Sequence, residues 1–258
     1  DGCTISTWAP AREEHVLAAI DAGVKNVLIE KPLSLTMAAA DRMKAAADKA
    51  GARLFVNFQR RYGRPFALVK EAVERGRLGK VTSIELMQPC ANALDFGPHF
   101  VNMALYFLGN PKAETILAGA EGLETVPWHG MKVERSMTAT VFLSDGVKLF
   151  YSATPANRWE DVVIRVNGTD GFAELFCNTP PGAKSVVRLV TPDGIENPAL
   201  DENFHHGDAD PYLYFERAYA DLAQAIATGA PCRLDFDAGY NTQAVLLGIY
   251  DAAKRARG

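Results

Sequence analysis

Cysteine is scarce in these 258 residues: Cys3, Cys90, Cys177 and Cys232 stand far apart and form no CxxC pair. That spacing signals neither a zinc site nor a disulfide framework, so the four are expected to be reduced thiols in the core. No stretch approaches the ~20 continuous apolar residues of a membrane span, since even the run over 241–250 is interrupted by Gly248 and Tyr250. Excess positive charge is also missing, with 27 Lys and Arg against 31 Asp and Glu and a net charge of -4. Without surplus cations to displace counterions, nucleic acid is disfavoured as the main partner, and a small neutral or modestly charged substrate fits better. Nowhere does a GxGxxG appear, so the backbone amides that commonly hold a dinucleotide diphosphate are not signalled.

What is present is a composition suited to a compact protein, 48% apolar and 22% charged, with no repeat and no low-complexity linker. Residues 1–57 alternate strand and helix: strand 3–6, helix about 12–22 closed by Gly23, strand 26–30, helix about 36–50 closed by Gly51, strand 54–57. Thr36 is placed to cap the second helix. Short apolar strands separated by helices imply a parallel sheet covered on both faces, as in the second half of a doubly wound nucleotide fold. A helix at about 64–75 opens on Pro65. Short strands then run from 81 to about 195, punctuated by Ser144-Asp145-Gly146, Asn167-Gly168, Thr169-Asp170-Gly171 and Pro192-Asp193-Gly194. One helix, about 96–108, interrupts them, and helices at about 211–228 and 239–256 close the chain. The expectation is an α/β protein with two domains. Residues 1–58 form part of a dinucleotide-binding domain, and 59–258 an α+β domain on an open, mixed or largely antiparallel sheet.

Two clusters carry chemistry. Glu30-Lys31-Pro32 ends the second strand, at the edge where open α/β sheets bind ligands, and an ammonium there can hold a reacting hydroxyl and stabilise charge as its proton leaves. The alternative is an ordinary surface lysine. Asp95 and His99, four residues apart, fall on one side if Asp95 enters a helix, giving an imidazole that changes charge near neutral pH beside a carboxylate. Here the alternative is a plain N-cap and a buried ring. His205, His206, Asp208 and Asp210 use metal-like letters without a helical ligand pair, and no metal site is assigned. Trp128-His129-Gly130 reads as an exposed turn, and Lys254-Arg255-Ala256-Arg257 as a solvated helix end.

Thr7-Trp8-Ala9-Pro10 with His15, Glu30-Lys31-Pro32, Asn57-Phe58-Gln59-Arg60-Arg61-Tyr62, Gly76-Arg77-Leu78-Gly79-Lys80-Val81, then Asp95 and His99, resemble in order the glucose-fructose oxidoreductase/inositol dehydrogenase/MocA (Gfo/Idh/MocA) family. The resemblance implies a Rossmann domain, an α/β substrate domain whose open sheet serves in oligomer contacts, and hydride transfer with NAD or NADP. It implies Lys31 as catalytic lysine, His99 as general acid/base and Asp95 as its acidic partner, with a cis Lys31–Pro32 bond. Thr7, Trp8, Pro10, Glu30, Lys31 and Arg61 are implied at the cofactor, and Lys31, His99 and Asn102 at the substrate. Asn102 stands where the family often has an acid, and Ala91-Asn92-Ala93-Leu94 where it often has glycines. The substrate class implied is a sugar, sugar derivative or cyclitol. An NAD-dependent glycoside hydrolase of this fold and a non-catalytic sugar or nucleotide sensor stay open as alternatives. By the same resemblance the first three strands of the Rossmann domain lie upstream of Asp1, dinucleotide binding by these residues alone is expected to be weak, and such a piece alone inactive. The protein is expected to be a cytoplasmic homo-oligomer, dimer or tetramer, with any upstream targeting segment left open.

Overall fold

The computed structural model describes residues 2–90, 92–158, 161–177, 185–203 and 212–256. Three short strands, β1 (Gly2–Ile5), β2 (Asn26–Ile29) and β3 (Arg53–Val56), form a parallel sheet in that order, Cys3 facing Val27 and Val27 facing Leu54. Helices α1 (Ala9–Asp21) and α2 (Met37–Ala50) make the crossovers. Thr36 caps α2 by accepting from the Ala39 amide, and Gly51 closes it at φ 62°, where a Cβ would be strained. The first helix begins at Ala9, three residues before its expected start, because Pro10 is tolerated in the first turn.

A 3-10 turn at Gln59–Tyr62, not anticipated from the sequence, leads into α3 (Arg64–Glu74). Beyond it lie β4 (Val81–Gln88), α4 (Gly97–Phe107), β5 (Ala113–Glu121), the hairpin of β6 (Val126–Trp128) and β7 (Met131–Val133), and β8 (Ser136–Leu143). The chain continues through β9 (Lys148–Ala153), β10 (Val162–Gly168), β11 (Phe172–Phe176), β12 (Val187–Thr191) and β13 (Gly194–Glu196). Helices α5 (Leu213–Thr228) and α6 (Phe236–Arg255) follow. Eight of these strands build one open sheet, ordered β13-β12-β11-β10-β4-β9-β8-β5. Its pairings are antiparallel except β4 with β9. Alternating side chains from β4, β8 and β9 pack with α3, α4 and α6 in the main core, and the opposite face carries exposed Leu117 and Phe150.

The parallel sheet is covered on one face by α1 and α2, with Phe236 from the far end of the chain. On its other face Leu28 and Phe55 pack against Ala218, Leu222 and Ala225 of α5. Helix α6 starts three residues earlier than expected, because Asp235 caps it by accepting from the Ala238 amide. Of the four cysteines, Cys177 and Cys232 are buried as expected, whereas Cys3 and Cys90 are only half-buried. The segment His205–Asp210 falls outside the described residues. Among the described residues no helix is long and apolar enough to cross a membrane.

Candidate active site

Parallel strands send their following loops to one edge, and three such loops gather here. After β1 comes Ser6–Trp8, after β2 Glu30–Lys31–Pro32, and after β3 Asn57 and the 3-10 turn. The Lys31–Pro32 bond is cis. Arg12 on α1, almost wholly buried, joins two of the loops by donating to the carbonyls of Thr7 and Pro32. Burial lowers its guanidinium to about 10, opposed by the charge of Glu30. Glu30 accepts from Asn57 Nδ2 at 2.5 Å and from the Lys31 backbone N–H at 3.3 Å. Gln243 of α6 holds the segment beyond Pro32 from behind, accepting from Leu33 N–H and donating to the Ser34 carbonyl.

Lys31 Nζ reaches across 64 positions of sequence to donate to Asp95 Oδ1 and to the Asp95 carbonyl, both at 2.9 Å. The lysine side chain is 21% exposed and the aspartate 37%, so the pair is partly open to water. Asp95 precedes α4 and does not cap it: the N-cap position belongs to Phe96, without a side-chain cap bond. Freed from that duty, the carboxylate takes the ammonium. His99 sits in the first turn of α4, 4% exposed, with the rings of Phe58 and Phe96 edge-on at 6.5 Å. Arg60 is buried nearby, its guanidinium lowered to about 10 by burial and raised in part by Cys177, Tyr214 and Asp95.

The other expected residues lie on the loop after β1, at the start of α1, in the 3-10 turn and on α4. Thr7 is half-buried, its hydroxyl 3.4 Å from His15 Nδ1, and Pro10 is exposed. The indole of Trp8 is 58% exposed and stacks on the imidazole of His129 with centroids 3.4 Å apart. His129 thus occupies the turn of the β6–β7 hairpin, as expected, yet touches the loop after β1, a contact the sequence did not signal. Arg61 and Asn102, expected at cofactor and substrate, are joined to each other and to α6. Arg61 Nε donates to Asn102 Oδ1 at 2.8 Å, Asn102 Nδ2 donates to Thr242 Oγ1 at 2.9 Å, and Arg61 also donates to the Arg233 carbonyl. Asn102 has no exposed surface, so both ends of its amide are committed to a bridge from the 3-10 turn through α4 to α6.

Sequence reasoning missed Arg12. Its signal was a charged residue on the stripe Ala9, Arg12, Val16, Ile20, which are the buried positions of α1. It also missed Gln88 and Glu134, fully buried residues beneath the Asp95 loop, for which the linear sequence offers no sign.

Comparison with known proteins identifies the family and the fold. A family model described as "Oxidoreductase family, NAD-binding Rossmann fold" matches residues 1–58, and one described as "Oxidoreductase family, C-terminal alpha/beta domain" matches 70–257. Inositol 2-dehydrogenase 3 of Saccharopolyspora erythraea is 41% identical over 254 residues, covering 95% of this chain and 72% of that protein. Myo-inositol 2-dehydrogenase of Thermotoga maritima is 30% identical over 184 residues, covering 66% of this chain and 55% of the relative. The match to scyllo-inositol 2-dehydrogenase (NADP(+)) of Bacillus subtilis, 28% identical, covers 50% of this chain and 41% of that one. The chain therefore spans about half the length of these last two. The fold is shared with an oxidoreductase from Agrobacterium radiobacter solved with NAD+, L-tartaric acid and magnesium. That likeness has a TM-score of 0.79 at 16% identity, over 98% of this chain and 78% of that one. It is shared as well with aldose-aldose oxidoreductase from Caulobacter crescentus complexed with glycerol, with a TM-score of 0.77 at 20% identity over 99% and 78%.

Proposed function

Since this chain belongs to the Gfo/Idh/MocA family of oxidoreductases, we propose that it serves NAD(P)-dependent oxidation or reduction at a secondary alcohol or carbonyl of a cyclitol, sugar or sugar derivative. The observation that carries this reading is the Lys31–Asp95 pair, at the carboxyl edge of the parallel sheet and partly open to water. The hydroxyl of Thr7, the carboxylate of Glu30 and the ammonium of Lys31 follow β1 and β2, a donor and acceptor set that suits the ribose and nicotinamide end of the cofactor. Trp8 and Pro10 would complete that side. The sequence carries no GxGxxG run to take its diphosphate. When bound, the cofactor would supply or accept the hydride.

The chain's own groups would do the rest. The ammonium of Lys31 would hydrogen-bond the substrate oxygen and stabilise the negative charge that gathers there as its proton leaves. His99 would take or return that proton at the same oxygen. Asp95, already on the ammonium, would keep Lys31 pointed toward it. The sheet face carrying Leu117 and Phe150 would serve homo-oligomer contacts.

The test is to screen the complete gene product against cyclitols, aldoses and their derivatives with NAD and NADP, following the absorbance of reduced nicotinamide. Turnover with one of them that Lys31→Met lowers by roughly 10²–10⁴-fold is the expected result. A Lys31→Met variant that keeps its full rate, or no turnover across the panel, would overturn the reading.

A further inference from the structure

Asp95 belongs to a short turn between β4 and α4, and that turn is gripped from the interior. The Asp95 amide donates to the Asn92 carbonyl at 3.2 Å, Leu94 N–H donates to Asn92 Oδ1, and Asn92 takes a left-handed φ of 73°. Gln88, the last residue of β4, donates from Nε2 to the carbonyls of Cys90 and Asn92, both at 3.2 Å. The remaining hold comes from far along the chain. Glu134, which follows β7 and has no exposed surface, accepts through Oε1 from the Ala93 amide at 2.5 Å and through Oε2 from the Tyr250 hydroxyl at 2.5 Å.

The chemistry of this group is unusual for a purely structural contact. Among the described residues, both hydrogen-bond partners recorded for Glu134 are neutral donors, and no cation is paired with it. Burying a carboxylate without a cation is costly, and an apolar side chain of the same size would fill the space without that cost. What an apolar residue could not do is fix the Ala93 amide, two positions before Asp95. Burial, the charge of Glu134 and the bond to it all push the Tyr250 hydroxyl up, so it remains a proton donor to the carboxylate across any working pH.

We propose that Glu134 is a positioning residue for the candidate active site: its buried carboxylate, oriented by Tyr250, holds the Asn92–Asp95 turn so that Asp95 Oδ1 and the Asp95 carbonyl oxygen meet the Lys31 ammonium. The turn is thereby held at two points, by Glu134 at Ala93 and by Lys31 at Asp95. Glu134 itself touches no reacting group. It acts through Asp95, and the same turn sets where α4 begins and thus where His99 stands. This inference rests on the proposed oxidoreductase reading for its catalytic consequence, while its geometric part stands without it.

The experiment has two arms. In the complete gene product, Glu134→Ala is expected to lower kcat about 10–100-fold with KM changed by less than about 3-fold, beyond any loss of folded protein measured by circular dichroism. Glu134→Gln, which keeps an acceptor for Ala93 and can still bond Tyr250, is expected to recover kcat to within about 3-fold of the parent. In the second arm, 15N NMR of the chain follows the Ala93 amide and the Lys31 ammonium. The Ala93 proton should resonate far downfield in the parent and move upfield in both variants, and the Lys31 ammonium signal, slowed in exchange by its bonds to Asp95, should vanish in Glu134→Ala.

An unchanged kcat in folded Glu134→Ala, or a Lys31 signal that survives it, would overturn the proposal. So would a kcat loss fully explained by the unfolded fraction. If Glu134→Ala does not fold, Glu134→Gln decides alone: an Ala93 proton that stays in place refutes the grip. Absence of turnover in the parent would count against the oxidoreductase reading only, because the NMR arm reads the positioning without activity.

Discussion

At the scale of single residues, a half-buried carboxylate held by three donors makes stability depend on pH. Asp221 on α5 accepts from the Tyr62 hydroxyl at 2.6 Å, from the Arg233 amide at 3.0 Å and from the Cys232 thiol at 3.5 Å. Burial alone would raise its carboxyl, but these donors outweigh burial and hold it below its ordinary 3.8. A carboxyl lowered in the folded state contributes stability that is complete above its unfolded value and is lost as pH falls through the lower folded value. Asp221→Asn should therefore melt below the parent at about pH 6, and the gap should close as pH drops toward about 3. Melting curves at both pH values check this, and a gap that stays constant would show that the carboxylate charge contributes nothing. Arg12 follows related logic, with a guanidinium that satisfies two loop carbonyls from inside a helix stripe. That arrangement was not legible in the sequence, because nothing local tells which carbonyls a buried arginine will find.

At the scale of elements, local signals did most of the work where hydrogen bonds close within a few residues. Thr36 and Gly51 bound α2 as the sequence suggested, and Gly229 at φ 74° closes α5 in the same way. Thr36→Ala should cost about 1 kcal/mol, since it leaves the Ala39 amide without its side-chain acceptor. Urea titration with an unchanged slope would measure the loss, and a midpoint equal to the parent would refute the cap's contribution. The turns anticipated at Ser144–Gly146 and Thr169–Gly171 do join β8 to β9 and β10 to β11, and Pro192-Asp193 joins β12 to β13, whereas Asn167 and Gly168 end strand β10 rather than forming a turn of their own. Where the element began on a less obvious residue, the boundaries slipped. Helix α6 starts at Phe236 because Asp235 caps it, whereas the sequence placed its start at about 239. The Asp95 reading shows the limit from the other direction: a carboxylate at a helix entry suggests an N-cap, yet a lysine 64 positions away takes it.

At the scale of the whole molecule, α6 ties the two sheets together. Its first residue, Phe236, lies in the core of the parallel sheet, while Val245, Leu246 and Ile249 lie in the core of the large sheet. Between them Gly239 passes so close to Val56 of β3 that a Cβ there would collide with the valine side chain. Gly239→Ala should then cost about 1–3 kcal/mol by overpacking, although alanine is the better helix former at an ordinary position. Denaturant unfolding checks the sign, and a stabilised variant would mean that α6 can lift from β3 freely. Because Gln243 on the same helix holds Leu33 and Ser34, the two-sheet assembly also sets the loop that carries Lys31.

The sequence by itself determined the parallel βαβαβ order, the run of turn-punctuated strands, the caps of α2 and the residue types that carry chemistry. Each of those depends on periodicity or on hydrogen bonds spanning only a few positions. Tertiary structure alone decided that Lys31 meets Asp95, that Arg61 and Asn102 bridge to α6, that Trp8 stacks on His129, and that Glu134 bonds the Ala93 amide. Those contacts join segments tens to hundreds of residues apart, and no local pattern records which buried polar group will satisfy which.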